Sequence, residues 1–175
     1  MLLILGIIIF LSLNNENQSD ENTLYSTEFG NIKLRVERYD YSLGQNQLVG
    51  VEKSINNGKT YDKLTKELIT VSMEPKFVFL SENLGFAISK PKLTKNNNYL
   101  GIKVTQDGGI SFIDSKVNYI NPEVENLAIE DVPYLENSIL KLPCSIYQVK
   151  EDKTGYETKT IIFISVDNGL TWNLE

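Results

Sequence analysis

The chain has 175 residues, 41% hydrophobic and 23% charged, ordinary proportions for one globular domain with a core. Seventeen basic against twenty-three acidic residues leave a net charge of −6, which argues against a nucleic-acid binder, because phosphate contact needs a basic patch. His is absent and Cys144 is the only cysteine, so Ser-His-Asp and Cys-His catalysis, His-based zinc sites and an intrachain disulfide are excluded.

Leu2 to Leu13 is apolar but for Gly6 and Ser12. Twelve residues are too few for a bilayer core of about 30 Å, and the length suits the apolar region of a secretory signal. No Lys or Arg precedes the run, no Ala-x-Ala site follows it, and Asn14 stands where a lipoprotein would need Cys. The expectation is an exported protein (periplasmic, in the cell envelope or secreted) with a signal-like segment over 1–13. A polar tether over 14–27 follows, carrying no apolar residue between Asn14 and Asn22, and a single β domain fills 28–175.

From Ile32 onward the pattern is strands and turns. Ile32 to Tyr39 alternates with period two, as a half-buried strand must. Gln47 to Lys53 reads as a second strand, and Lys63 to Val71 as one helical turn or an outer strand. Lys76 to Ser81 and Gly85 to Ser89 form a strand pair around Glu82-Asn83-Leu84. Tyr99 to Thr105 and Phe112 to Ile120 follow, the latter ended by Asn121-Pro122. Leu127 to Ile129, Ser138 to Leu142, Ser145 to Val149 and Lys159 to Ser165 complete the strands. Cys144 reads as a small buried hydrophobe.

One octet recurs three times. Ser165-Val166-Asp167-Asn168-Gly169-Leu170-Thr171-Trp172 joins a strand to a turn in which Gly permits positive φ and Asp can accept backbone amides. Its end residues, Ser165 and Thr171, add hydroxyls, and Trp172 adds a large ring to bury. Thr105-Gln106-Asp107-Gly108-Gly109-Ile110-Ser111-Phe112 keeps the scheme with Phe112 as the ring. Ser54-Ile55-Asn56-Asn57-Gly58-Lys59-Thr60-Tyr61 keeps the register, with Asn56 for Asp and Tyr61 for Trp. The starts lie 51 and 60 residues apart, which points to repeated units.

The octet resembles the Asp-box, Ser/Thr-x-Asp-x-Gly-x-Thr-Trp, of sialidases and other bacterial-neuraminidase-repeat β-propellers, and the resemblance covers roughly Ile32 to Trp172. It implies an all-β fold, a small propeller-like arrangement of about three blades of antiparallel strands. It also implies that each box is a structural turn between the third and fourth strands of a blade, away from any active site. Closed propellers usually have four to eight blades. With three residues after Trp172, the last blade is expected to borrow an N-terminal strand such as Ile32 to Tyr39. Sialidases hold their substrate with three arginines and use a Tyr-Glu pair, whereas this chain has only Arg35 and Arg38. Those two, three apart on a strand, point to opposite sides.

No catalytic residue, metal site or cofactor is assigned. Carboxylates for glycoside chemistry are numerous, with Glu130-Asp131 and Glu123/Glu125 the most suggestive, though a solvent-exposed loop is the plainer reading for them. Tyrosines outside the octets, Tyr25, Tyr39, Tyr41, Tyr99, Tyr119, Tyr134, Tyr147 and Tyr156, suit protein recognition, with strand-edge positions the plainer reading for any single one. The expected function is a non-enzymatic, exported protein-binding module, for instance an immunity-type inhibitor of a secreted antibacterial effector. The alternative is a carbohydrate-binding or degenerate glycosidase-like protein of the cell envelope, with a glycan as its partner.

Overall fold

The computed structural model describes residues 21–42, 46–90, 92–94, 97–118, 124–150 and 154–175. The signal-like segment 1–13 and the tether up to residue 20 lie outside them. Fifteen strands and no helix occur among the described residues. In chain order they are β1 (Thr23–Phe29), β2 (Ile32–Ser42), β3 (Asn46–Ser54), β4 (Asp62–Lys63), β5 (Ile69–Ser72), β6 (Lys76–Phe79), β7 (Gly85–Ile88), β8 (Lys92–Thr94), β9 (Asn97–Thr105), β10 (Ile113–Val117), β11 (Val124–Ile129), β12 (Tyr134–Glu136), β13 (Ile139–Val149), β14 (Tyr156–Ser165) and β15 (Thr171–Leu174). Residues 23–27, expected in the tether, belong to β1, which pairs antiparallel with β2.

The protein is all-β, and its strands form two sheets. The first runs β1-β2-β3-β4, with β5 also on β3. The second runs β11-β13-β14-β15-β10-β9-β7-β6, with β12 on β13 and β8 on β9. Three antiparallel four-strand meanders are embedded in them: β1 to β4; β6, β7, β9 and β10; and β12 to β15. Each octet joins the third strand of its meander to the fourth. Three separate blades do not form. The fourth strand of the second meander, β10, pairs in parallel with the fourth strand of the third, β15, through Lys116↔Thr171 and Val117↔Trp172. That pairing fuses two meanders into one ten-stranded sheet. The borrowed strand is also absent: β15 itself pairs with β14, and Ile32 to Tyr39 stays in the first sheet.

Two cores result. Alternation in β2 sends Leu34 and Val36 inward, where they pack with Val49 and Val51 of β3 and with Phe77, Phe79 and Ala87 of the next meander. The larger core gathers Phe86, Leu100, Ile102, Leu142, Phe163 and Trp172. β7 serves both: Ala87 faces the first core while Phe86 and Ile88 face the second, and all four of its residues are buried. The Tyr25 ring stacks on Phe79 at 6.3 Å, and its hydroxyl accepts the Phe79 N–H at 3.3 Å, tying β1 to β6.

Two strands expected around Pro143 are one continuous strand, β13. Its flanking partner changes there, from β12 at Lys141 to β11 at Cys144. In an extended strand the N and C=O of one residue point to the same side. The Pro143 carbonyl accepts from Glu130 N at 3.0 Å, so the missing N–H lies in that gap, where a proline is tolerated.

Candidate functional site

The three octets share one hydrogen-bond scheme. The hydroxyl at the first position accepts the N–H of the fifth residue: Gly58 to Ser54 at 2.8 Å, Gly109 to Thr105 at 2.7 Å, Gly169 to Ser165 at 2.9 Å. It also donates to the third residue's oxygen, at 2.8, 2.8 and 2.7 Å for Asn56, Asp107 and Asp167. That oxygen accepts the seventh residue's N–H, at 3.0 Å from Thr60, 2.9 Å from Ser111 and 2.9 Å from Thr171. An amide oxygen does this as well as a carboxylate, which explains Asn56. The fourth and fifth residues are left-handed in every octet: Asn57 and Gly58, Gly108 and Gly109, Asn168 and Gly169. This is why position four holds only Asn or Gly, the residues that reach that region at low cost.

The octet acids are committed to these turns. Burial works against ionisation at Asp107, yet donors from Ser111 and Thr105 hold its carboxyl below the usual range. Asp167 is likewise lowered, burial opposing and the Thr171 amide and Ser165 hydroxyl prevailing. The eighth-position rings differ in depth. Trp172 is fully buried, 6.2 Å from Phe86; removing roughly 200 Å² of indole from water stabilises by about 5 kcal/mol, offset by about 1–3 kcal/mol because no described group accepts its buried Nε1–H. Phe112 is half-buried against the first core, and Tyr61 lies under the Arg35 guanidinium at 4.0 Å.

Each later octet is seated by the meander before it. At the second, Thr65 Oγ1 donates to the Gly109 carbonyl at 2.7 Å, and Lys66 N donates to Ile110 O at 3.1 Å. At the third, Ser115 Oγ donates to the Gly169 carbonyl, and Lys116 N to Leu170 O at 2.9 Å. Both hydroxyls are buried. They are residues that motif reading passed over; the available signal was a Thr-Lys and a Ser-Lys pair ten or eleven positions after an octet begins. Beyond them the junctions differ. After Lys116 the parallel pairing continues to Asn118 N on Trp172 O at 2.9 Å. After Lys66 the chain diverges, and a groove of about 460 Å³ opens between residues 66–70 and 110–112, with Lys103 on its wall. Its lining mixes the charges of Lys66, Glu67 and Lys103, the last paired with Asp114 at 2.5 Å, with the apolar Leu68 and Phe112.

The outer face of the first sheet carries a second polar cluster. Arg35 donates to Glu52 at 2.8 and 3.0 Å and pairs with Glu37 at 3.1 Å. Tyr39 donates to Glu52 at 2.6 Å beneath the Lys63 ammonium, and Thr23 donates to the buried Glu37. Burial, then the Glu52 bond, raises the Tyr39 hydroxyl pKa. Arg38 turns elsewhere, to Glu21 O and Asn22, so the two arginines share no partner.

Among the sequence candidates, Glu130 and Asp131 are exposed after β11. Glu123 lies outside the described residues, and Glu125 is placed in β11. Cys144 is fully buried, and burial, with the Glu130 charge adding, pushes its thiol up to about 12. Among the described residues no group of three or more Asp, Glu, Cys or His converges as a metal cluster would, and no helix is long and apolar enough to cross a membrane. No protein-family model matches the chain, and no curated protein proves similar to it.

Proposed function

We propose that this is a non-enzymatic, exported binding module built from diverged Asp-box-like repeats. Its partner is another protein, held in the groove between residues 66–70 and 110–112. The carrying observation is that groove: two meanders meet there through one buried hydroxyl and one backbone bond, leaving about 460 Å³ lined by Lys66, Lys103, Leu68 and Phe112. A cleft of that size lined by both charged and apolar side chains suits an inserted loop or extended segment. An immunity-type inhibitor of a secreted effector fits this reading, working in the periplasm or cell envelope. The carbohydrate alternative has less support. Glu37 and Glu52, gathered around Arg35, already take bonds from Arg35, Tyr39 and Thr23, and Glu136 and Glu175 both pair with Lys141.

Capture from the native envelope tests this with the wild type beside a Lys66→Glu/Lys103→Glu variant. A stoichiometric protein retained by the first and lost by the second supports it. No retained protein, equal retention by both, or glycan cleavage abolished by replacing one acid overturns it.

A further inference from the structure

The second and third octets are each seated by a Thr-Lys or Ser-Lys pair, and the first has no such pair on it among the described residues. At the second and third octets, the fifth and sixth carbonyls accept a buried Thr or Ser hydroxyl and the backbone N–H of the Lys that follows. At the first octet the equivalent acceptors are the carbonyls of Gly58 and Lys59, and no described donor reaches either. The fifth-position glycines tell the same story. A Cβ on Gly109 would strike Val51 at 2.6 Å, and one on Gly169 would strike Phe86 at 2.3 Å, each from the preceding meander. A Cβ on Gly58 would meet only Tyr61 Oη at 3.2 Å and the Lys33 side chain at 3.3 Å, both of its own meander. Gly58 is half-buried and Lys59 exposed.

We propose that the first octet is a docking site for an extended segment of the partner protein that carries Ser or Thr followed by Lys. This rests on the binding reading above and names a second point of contact. The chain itself supplies the template twice, in Thr65-Lys66 and Ser115-Lys116. The occupant's hydroxyl donates to the Gly58 carbonyl and the N–H of its Lys to the Lys59 carbonyl. The Lys side chain then stays at the surface, as the exposed Lys66 and Lys116 do. A second copy of this chain is the poorer occupant. The tenth residue after the start of its third octet is Glu175, whose carboxylate cannot donate to a carbonyl.

Backbone NMR of the full chain tests the site, with a synthetic peptide copying residues 112–118 as probe. The expected result is saturable shifts of the Lys59 and Thr60 amides, which share peptide planes with the two acceptors. The same peptide with alanine at the Ser115 position should bind at least about fivefold more weakly, the worth of one hydrogen bond. Three outcomes overturn the site: no shift at about 5 mM peptide, equal binding by the alanine peptide, or shifts confined to Leu170 and Thr171, which would mean displacement of β10. Shifts of Lys59 and Thr60 that depend on protein concentration without peptide would make a second copy the occupant, overturning the partner assignment. If the site fails while Lys66→Glu/Lys103→Glu still abolishes partner capture, the groove reading stands alone; loss of both removes the binding function.

Discussion

The junction between the first and second meanders and that between the second and third start from the same contacts and end differently. In each, a buried hydroxyl and the next residue's N–H seat the following octet. At the later junction a third bond, Asn118 N to Trp172 O, extends the contact into a parallel ladder, and the sheets merge. At the earlier one the chain leaves after Lys66, because β5 returns to pair with β3 from Val49↔Ile69 onward. The same repeat therefore yields a sealed seam or an open groove, according to where the following strand finds its hydrogen bonds. A backbone already paired within its own meander has none left for its neighbour.

Replacing the fifth-position glycines tests this difference most strongly. Gly169→Ala should cost about 4 kcal/mol, left-handed strain adding to collision with Phe86 in the sealed core. Gly58→Ala, at nearly the same φ but meeting only side-chain ends that can shift, Tyr61 Oη at 3.2 Å and Lys33 at 3.3 Å, should cost about 1 kcal/mol. Urea unfolding measures both, and equal losses would show that the octets are equivalent and the first is not open.

Removing the seating hydroxyls comes next. Thr65 Oγ1 both accepts from Val51 N at 2.6 Å and donates to Gly109, so Thr65→Val orphans two backbone groups and should cost about 3 kcal/mol. Ser115→Ala orphans only the Gly169 carbonyl beside an intact ladder and should cost about 1 to 2 kcal/mol. Cys144, buried in the larger core, reports which part yields. Its alkylation in native buffer should stay blocked in Thr65→Val, and rapid labelling there would show that both sheets open together.

The smallest effect is in acid. The Asp107 and Asp167 carboxyls are held below their ordinary value of 3.8, so their stabilisation is present above that pH and is lost as pH falls through the folded value. The Asp107→Asn/Asp167→Asn variant should lose less than about 1 kcal/mol per site at neutral pH, since Asn56 already serves this role. Its unfolding should also depend less on pH below about 4. An acid limb identical to wild type would remove the carboxylates from the account.

Much of this was legible beforehand where the physics is local. The alternation of Ile32 to Tyr39 marked β2, and hydroxyl, Asp or Asn, Gly and ring at fixed spacing marked three turns whose bonds close within eight residues. Lys63 to Val71 stayed ambiguous because its bonds go to β3 and to an octet more than forty residues away. The Arg35 cluster was hidden for the same reason: Glu37 is two residues away and reads as a surface charge, while Glu52 becomes its neighbour only through the β2–β3 register.

By itself, then, the sequence determined the all-β character and the three octet turns, since both follow from side-chain alternation and from bonds made between near neighbours. The tertiary structure alone decided that three meanders become two sheets, that β7 is buried on both faces, and that one junction closes while the other stays open. Those outcomes depend on which distant backbone groups are still unpaired when two meanders meet, a competition that no local pattern of residues records.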